Sequence, residues 1–347
     1  MSLLVPSALL FFLGLLVLQS VSPDLFGIQL LFGLIALVVY ILVSQIDYQI
    51  IFSLHPVFSI LSTGLLILTF VIGELTRGTH RWLDFGSFSL QPSEIAKPFI
   101  LVSFAVILTT VSQNLPKITK ILLFSLLPAF LVFFQPDLGS FLVIFSGLLV
   151  IQFAKIPFKY VILFILSLSL LSIPSYLWLL KDYQRDRINT FINPYADPLG
   201  KGYHVIQSVI SVGSGGALGK GLGQGSQSQL RFLPEQHTDF IFASLTEELG
   251  LVGGSIVLLL YAVIFYRIYT VSQRTTDPSA TLVSLGILRM LFFQVFVNIG
   301  MNIGVAPVTG ITLPFLSYGG SSLLSLAILL GIVSSISSQN RYNTHSV

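Results

Sequence analysis

Three carboxylates around the start of one apolar segment are the residues best suited to chemistry. Asp239 closes the stretch Arg231-Phe-Leu-Pro-Glu-Gln-His-Thr-Asp239, and Glu247 and Glu248 follow it inside the apolar run that begins at once. A carboxylate at a helix start is favoured by free amides and by the helix dipole, so for Asp239 a plain capping role competes with a catalytic one. The two glutamates tilt that balance. At 1.5 Å per residue they lie roughly 12 Å deeper along the helix, where a carboxylate is costly and faces a protein interior or a water-filled cavity. Eight helical residues turn about 80°, so Glu247 lies nearer the side of Asp239 and Glu248 away from it.

Three further groups have chemical potential. Arg81-Trp82-Leu-Asp84 precedes Gln91-Pro-Ser-Glu94-Ile-Ala-Lys97, in which Ser93 suits a helix cap and Glu94 with Lys97 an i,i+3 ion pair. A Trp at this place also suits a membrane-interface anchor. The run from Gly213 to Gly225 contains seven glycines and Lys220, but Gly221 stands where a nucleotide-binding loop needs Ser or Thr. It reads either as a turn-rich loop or as backbone approaching an anionic ligand closely. Finally, Pro307 to Ser322 holds two prolines, three glycines and Ser321, and predicts a broken helix, which membranes tolerate only where it is buried or lines a cavity. Arg289, inside an apolar segment, needs a partner or must reach the interface, and Glu247 or Glu248 would serve. The five histidines show no metal-ligand spacing.

The elements that position these groups are membrane helices. The chain of 347 residues is 54% hydrophobic and 9% charged, against roughly 25% charged in soluble domains. Apolar runs near 20 residues recur throughout, each long enough for a hydrocarbon core of about 30 Å. The reading is an all-α, polytopic integral membrane protein of ten transmembrane helices, at about 3–20, 25–44, 56–73, 95–112, 119–134, 138–154, 159–180, 240–267, 279–303 and 313–337, forming a single domain over 1–347. The first run reads as a retained helix, since it lacks a basic region and a cleavage site. The absence of cysteine excludes disulfides and thiol chemistry, and the scattered net charge of +3 argues against nucleic-acid binding.

Between the seventh and eighth helices lies a polar loop, residues 181–239, carrying eleven of the 31 charged residues. It also holds Tyr183, Phe191, Tyr195, Tyr203, Val205 and Val209, apolar material that predicts order. Lys117, Lys120, Lys155, Lys159, Arg267, Arg274 and Arg341 fall on one side of the bilayer, against Arg77, Arg81 and Lys97 on the other once the long loop is set aside. The positive-inside rule then puts both termini in the cytoplasm and the loop outside.

Several of these motifs, in order, resemble one family. Arg81-Trp82, Gln91-Pro-Ser-Glu94 with Lys97, Phe134-Gln-Pro-Asp137-Leu-Gly, Asn193-Pro with Asp197-Pro-Leu-Gly200-Lys-Gly202, the run Gly213 to Glu248, and Asn298 to Ser322 are similar to the SEDS family (shape, elongation, division and sporulation). Asn298-Ile-Gly-Met301-Asn and Arg231-Phe-Leu-Pro-Glu-Gln-His resemble its RodA elongation branch more than its FtsW division branch.

The resemblance implies a peptidoglycan glycosyltransferase of the bacterial cytoplasmic membrane that polymerises lipid II and works with a class B penicillin-binding protein, the transpeptidase. It implies that Asp239 is the essential loop aspartate, Trp82 the important extracytoplasmic Trp, and Glu94 with Lys97 the intramembrane ion pair. Arg81, Asp137, Lys220, Glu247, Glu248 and Ser321 complete the set of supporting residues. Asp239 is then expected as general base on the acceptor hydroxyl, with cations, and with a divalent ion (Mg²⁺ or Mn²⁺), aiding departure of polyprenyl pyrophosphate; no nucleotide is expected. Two alternatives stay open. A lipid II flippase would suit the intramembrane charges and a broken helix, although no inverted repeat is visible, and a non-catalytic scaffold for the transpeptidase is the third reading.

Overall fold

The computed structural model describes residues 3–72, 74–76, 79–84, 89–110, 122–135, 137–153, 162, 182–230 and 232–345. The loop cations Lys117, Lys120, Lys155 and Lys159, and nearly all of the predicted helix 159–180, lie outside these residues, as do Arg77 and Arg231.

The described chain is almost wholly helical. Helices α1 (Leu4–Val21) and α2 (Phe26–Gln45) are joined at Ser22-Pro23-Asp24, where proline favours a turn. A short α3 (Tyr48–Ser53) is capped by Asp47, whose side chain accepts from the Gln49 amide at 2.8 Å. Then come α4 (His55–Ile72), α5 (Pro92–Thr110), α6 (Leu127–Phe134), entered through a π-helical turn at Leu122–Leu126, and α7 (Leu138–Phe153). The last membrane helices are α11 (Ile241–Arg274), α12 (Pro278–Asn302) and α13 (Gly320–His345). Among the described residues, six helices are long and apolar enough to cross a bilayer, and three shorter apolar ones lie at His55–Thr69, Phe124–Phe134 and Leu138–Leu149.

Burial sorts the helices into inner and outer ones. Helix α5 is mostly buried and packs against α4, α7, α12 and α13, with Ile100, Leu101, Ile107, Val283 and Ile287 in the core. Outer helix α2 instead exposes Leu31, Leu34, Val38 and Leu42. In water such a continuous apolar face would be an aggregation surface; in hydrocarbon it is a lipid-facing wall. The chain is a multi-pass membrane protein.

Three departures from the sequence reading stand out. The segment after α4 holds a small antiparallel sheet of β1 (Glu74–Thr76), β2 (Thr79–Asp84) and β3 (Ser89–Leu90), so the fold is not purely α. The threonines and Trp82 there favour extended backbone. The last helix begins at Gly320 rather than 313, because residues 303–319 are irregular, with positive φ at Gly304, Gly310 and Phe315. The broken helix is thus a buried non-helical segment in which Ile311, Leu313, Leu316 and Ser317 are enclosed by protein.

The third departure concerns Arg289, which is exposed on α12 with its guanidinium 5.6 Å from the Phe292 ring, while Glu247 is engaged elsewhere. The expected pairing of Arg289 with Glu247 or Glu248 is therefore wrong. A cation–π contact and solvent or headgroup access serve it instead.

The described residues between 182 and 239 form three further α-helices. These are α8 (Asp182–Ile192), α9 (Tyr203–Ser214) and α10 (Ser226–Gln229).

Candidate active site

The site begins with the main chain that precedes α11. The carbonyl of His237 accepts from the Tyr318 amide at 2.9 Å, that of Thr238 from Ser317 Oγ at 2.6 Å, and that of Asp239 from Asn298 Nδ2 and Asn302 Nδ2, both at 3.0 Å. Three consecutive carbonyls are thereby held by α12 and the segment after it. Ser317 Oγ also accepts from the Leu313 amide at 2.7 Å, which closes the turn around Pro314 and Phe315. Phe315 sits there at φ 65°, a conformation that a bulky residue adopts only under constraint.

With its backbone tied down, Asp239 remains half-buried rather than enclosed. Its Oδ2 lies 3.7 Å from the point where a Cβ on Gly310 would stand. Gly310, at φ 75°, needs the left-handed backbone, and the absence of a side chain keeps the strip in front of the carboxylate open. Gly310, Ile311 and Thr312 also line a cavity of about 30 Å³ together with Gln91, Glu94, Lys97, Ser140 and Val143. That space holds roughly one water.

In this cavity Lys97 Nζ meets Glu94 Oε1 at 2.6 Å, both side chains almost completely buried. Such a pair survives burial because each charge neutralises the other one turn along α5. Asp137 braces the same helix start: its Oδ2 accepts from Gln91 Nε2 and Ser93 Oγ, each at 2.8 Å, and its Oδ1 from the Ser140 amide at 3.2 Å. Ser321 Oγ accepts from the Gln91 amide at 3.0 Å. Asp137 and Ser321 thus brace Gln91 at the start of α5, Gln91 and the Glu94–Lys97 pair line one cavity with Gly310, and Asp239 Oδ2 lies close to Gly310.

Glu247, Glu248 and Lys220 belong to a second network. Helix α11 is interrupted at Gly250 (φ 68°, ψ −166°), and the glycine-rich run repairs the interruption. The amides of Lys220 and Gly221 donate to the carbonyls of Glu247 and Glu248 at 2.9 and 3.0 Å, while Leu251 and Val252 donate to Gly216 and Ala217 at 2.9 and 3.2 Å. Backbone groups freed by the break thus find partners in the run, as buried backbone requires.

The side chains are engaged as well, apart from Glu248 Oε2, which is buried with no hydrogen-bond partner. Glu247 accepts from Lys220 Nζ at 2.8 Å, from the amides of Gln227 and Ser228 at 2.9 and 3.0 Å, and from the hydroxyl of Ser228 at 3.0 Å. Glu248 accepts from Ser20 Oγ and from the Gly223 amide. Both glutamates are fully buried. The anions that the glycine run approaches are the protein's own carboxylates.

Trp82 stands half-buried on β2, beside α4 and α5, with its backbone paired opposite Glu74. Arg81 occupies the same strand, and its side chain lies outside the described ones. Sequence reasoning misses Arg187: from α8 its Nη1 donates to the Thr309 carbonyl at 3.0 Å, placing a cation beside Gly310. Only its charge within the long loop marks it. Asn298 and Asn302 are visible as part of a motif, without a role.

Tyr318 lies edge-on to His237, with ring centroids 5.9 Å apart, and burial pushes its phenol above the ordinary value of 10.0. Among the described residues, no group of three or more His, Asp or Glu side chains is placed to hold a metal ion.

Comparison with known proteins places this arrangement. The family model for FtsW, RodA and SpoVE, described as cell cycle protein, matches residues 1–342. Peptidoglycan glycosyltransferase MrdB of Escherichia coli (strain K12) is 40% identical over 352 residues, covering 99% of this chain and 95% of the relative. Stage V sporulation protein E of Bacillus subtilis (strain 168) is 37% identical over 328 residues, covering 90% and 87%.

Among solved structures, one described as structural coordination of polymerization and crosslinking by a peptidoglycan synthase complex superposes with a TM-score of 0.84 at 32% identity, covering 97% of both chains. The crystal structure of the rod shape determining protein RodA of Thermus thermophilus gives a TM-score of 0.71 at 28% identity, covering 98% and 96%. With its motifs, fold and nearly full-length similarity in agreement, the chain belongs to the FtsW/RodA/SpoVE family, the SEDS proteins.

Proposed function

We propose that this chain is a peptidoglycan glycosyltransferase that polymerises lipid II during wall elongation, with Asp239 as general base. The observation that carries the reading is the half-exposed Asp239 carboxylate, anchored by its main chain and facing Gly310, behind which lies the Glu94–Lys97 cavity. The relatives named peptidoglycan glycosyltransferase support the same activity.

In the reaction, Asp239 takes the proton from the 4-hydroxyl of the acceptor GlcNAc. The freed oxygen attacks C1 of the donor MurNAc, a new C1–O4 bond forms, and the bond from C1 to the pyrophosphate oxygen breaks with its electron pair. Polyprenyl pyrophosphate leaves. A positioned base supplies about 10²–10⁴-fold. The Glu94–Lys97 pair lines the cavity beside Gly310–Thr312, and Arg187, bonded to the Thr309 carbonyl, places a second cation close to the strip that the leaving phosphates would approach. The described side chains offer no cage of three carboxylates or imidazoles for a divalent cation (Mg²⁺ or Mn²⁺), whose chemistry here would be to offset the charge of the leaving pyrophosphate.

The topology follows the same reading: ten membrane crossings in the bacterial cytoplasmic membrane, both termini in the cytoplasm, and residues 181–239 outside between crossings seven and eight. Lipid II then presents its sugars on the side of Asp239. The partner is a class B penicillin-binding protein, in keeping with the relative solved in a polymerization and crosslinking complex. The flippase alternative loses its main support, because Glu247 and Glu248 are engaged by internal donors and Arg289 lies on an exposed face.

The test is Asp239→Asn in the purified full-length chain with its transpeptidase partner, scored by glycan synthesis from lipid II. The expected result is a fall of about 10²–10⁴-fold with unchanged thermal stability. Polymerisation near the wild-type rate would remove Asp239 from the mechanism.

A further inference from the structure

We infer that Asn298 and Asn302 are positioning residues, an amide clamp that sets how close the Asp239 carboxylate stands to the Gly310 strip. This rests on the reading of Asp239 as the base.

The two asparagines occupy successive turns at the end of α12, and both are completely buried. The amide group of Asn298 has two hydrogens, and both are used on different segments: one for the Asp239 carbonyl at 3.0 Å, the other for the Ile311 carbonyl at 2.7 Å. A single nitrogen therefore ties the residue bearing the carboxylate to the residue next to Gly310. Asn302 Nδ2 gives its hydrogens to the Asp239 carbonyl at 3.0 Å and to the Asn298 carbonyl at 2.8 Å. Its Oδ1 accepts from the Ala243 amide at 3.0 Å, one of the first-turn donors of α11 that its own helix leaves unpaired.

Asp239 is thus fixed both to the strip in front of it and to the helix behind it. Only a side chain with two donors and an acceptor can do this: aspartate lacks the donors, and leucine lacks both. The clamp acts through main-chain carbonyls and does not engage the Asp239 carboxylate itself. Because misplacement by about 1 Å can cost about 100-fold in rate, a loosened clamp should appear in kcat rather than in binding.

The experiment compares Asn298→Ala with Ser208→Ala in the full-length chain with its transpeptidase partner. Ser208 is equally buried and donates to the Asn302 carbonyl at 2.9 Å, so its loss removes a hydrogen bond at the same helix end without touching Asp239. The expected result is a fall of about 10- to 100-fold in kcat for Asn298→Ala, with KM for lipid II within about threefold, and a kcat near wild type for Ser208→Ala. A wild-type kcat in Asn298→Ala, or an equal fall in Ser208→Ala, overturns the inference. If Asn298→Ala does not fold, Asn302→Ala replaces it; it should lose about 3- to 10-fold in kcat, and a wild-type kcat overturns the clamp.

The two readings separate cleanly. An active Asp239→Asn protein sinks the base assignment, whereas an inactive Asp239→Asn protein beside a fully active Asn298→Ala protein sinks the clamp alone.

Discussion

Asp239 and Glu247 sit eight residues apart at one end of the same helix, yet the protein treats them in opposite ways. At Asp239 the main chain takes the hydrogen bonds of Asn298 and Asn302, and one residue earlier that of Ser317, while the residue remains half-exposed. At Glu247 the carboxylate itself takes the bonds of Lys220, Gln227 and Ser228, and the residue is fully buried. The first arrangement fixes where a carboxylate is and keeps it reachable. The second neutralises it as a structural joint. Depth in the membrane alone does not set how a carboxylate is held: the donors around Glu247 engage its side chain, whereas Asn298 and Asn302 engage the Asp239 main chain.

The largest test of this contrast is Glu247→Ala. Removing the buried Glu247 carboxylate leaves the amides of Gln227 and Ser228 without their acceptor beside a partly exposed Lys220, and each stranded donor costs about 1–3 kcal/mol, so thermal unfolding in detergent should show a loss of stability that Asp239→Asn does not. An unchanged melting temperature for Glu247→Ala would erase the distinction between the two sites.

A smaller effect is expected at Gly219, which sits at φ 81° with the place for a Cβ 2.1 Å from the Glu248 carbonyl oxygen. Gly219→Ala should destabilise by at least about 1–3 kcal/mol through backbone strain, again read by thermal unfolding. Gly310→Ala shares a positive φ but has space beyond it, with 3.7 Å to Asp239 Oδ2, so it should lower polymerisation more than stability. If the two alanine variants behave alike, the two regions are not built differently.

The smallest effect concerns pH. His204, exposed on one side, stacks on Phe240 beside Asp239, and burial against that ring lowers its pKa below the ordinary 6.5 while Glu235 opposes the shift. The folded form then binds fewer protons than the unfolded chain. Stability is complete above pH 6.5 and declines as the pH falls through that value toward the folded pKa, levelling off below it. A slight loosening of α9 on acidification, absent in His204→Phe, is the expected outcome in hydrogen exchange of that helix.

Much of the architecture is legible in the amino-acid sequence. Among the described residues, apolar runs and their polar punctuation locate most membrane helices to within a few residues; the predicted helix 159–180 lies outside them, α11 runs seven residues past its predicted end to Arg274, and the last helix starts late, because Pro314 and the glycines around it exclude helical geometry over residues that hydropathy alone would include. Ser93, Glu94 and Lys97 are readable as a local unit because their contacts span three or four residues. The composition of the glycine run points to close approach to an anion, but not to the anion being internal. The Arg289 pairing fails because hydropathy places this residue inside an apolar segment without saying which face of the helix it occupies, and the packed helix leaves it exposed.

The order of residues by itself determined a multi-pass, largely helical membrane protein, the local pair on α5 and the carboxylates worth testing, because these depend on hydropathy and on contacts within a turn or two. Tertiary structure alone decided which carboxylate is anchored by its backbone and which is saturated at its side chain. Those choices depend on donors 59 residues away for Asp239 and 27 for Glu247, and hydrogen bonds over such separations exist only once the helices have packed.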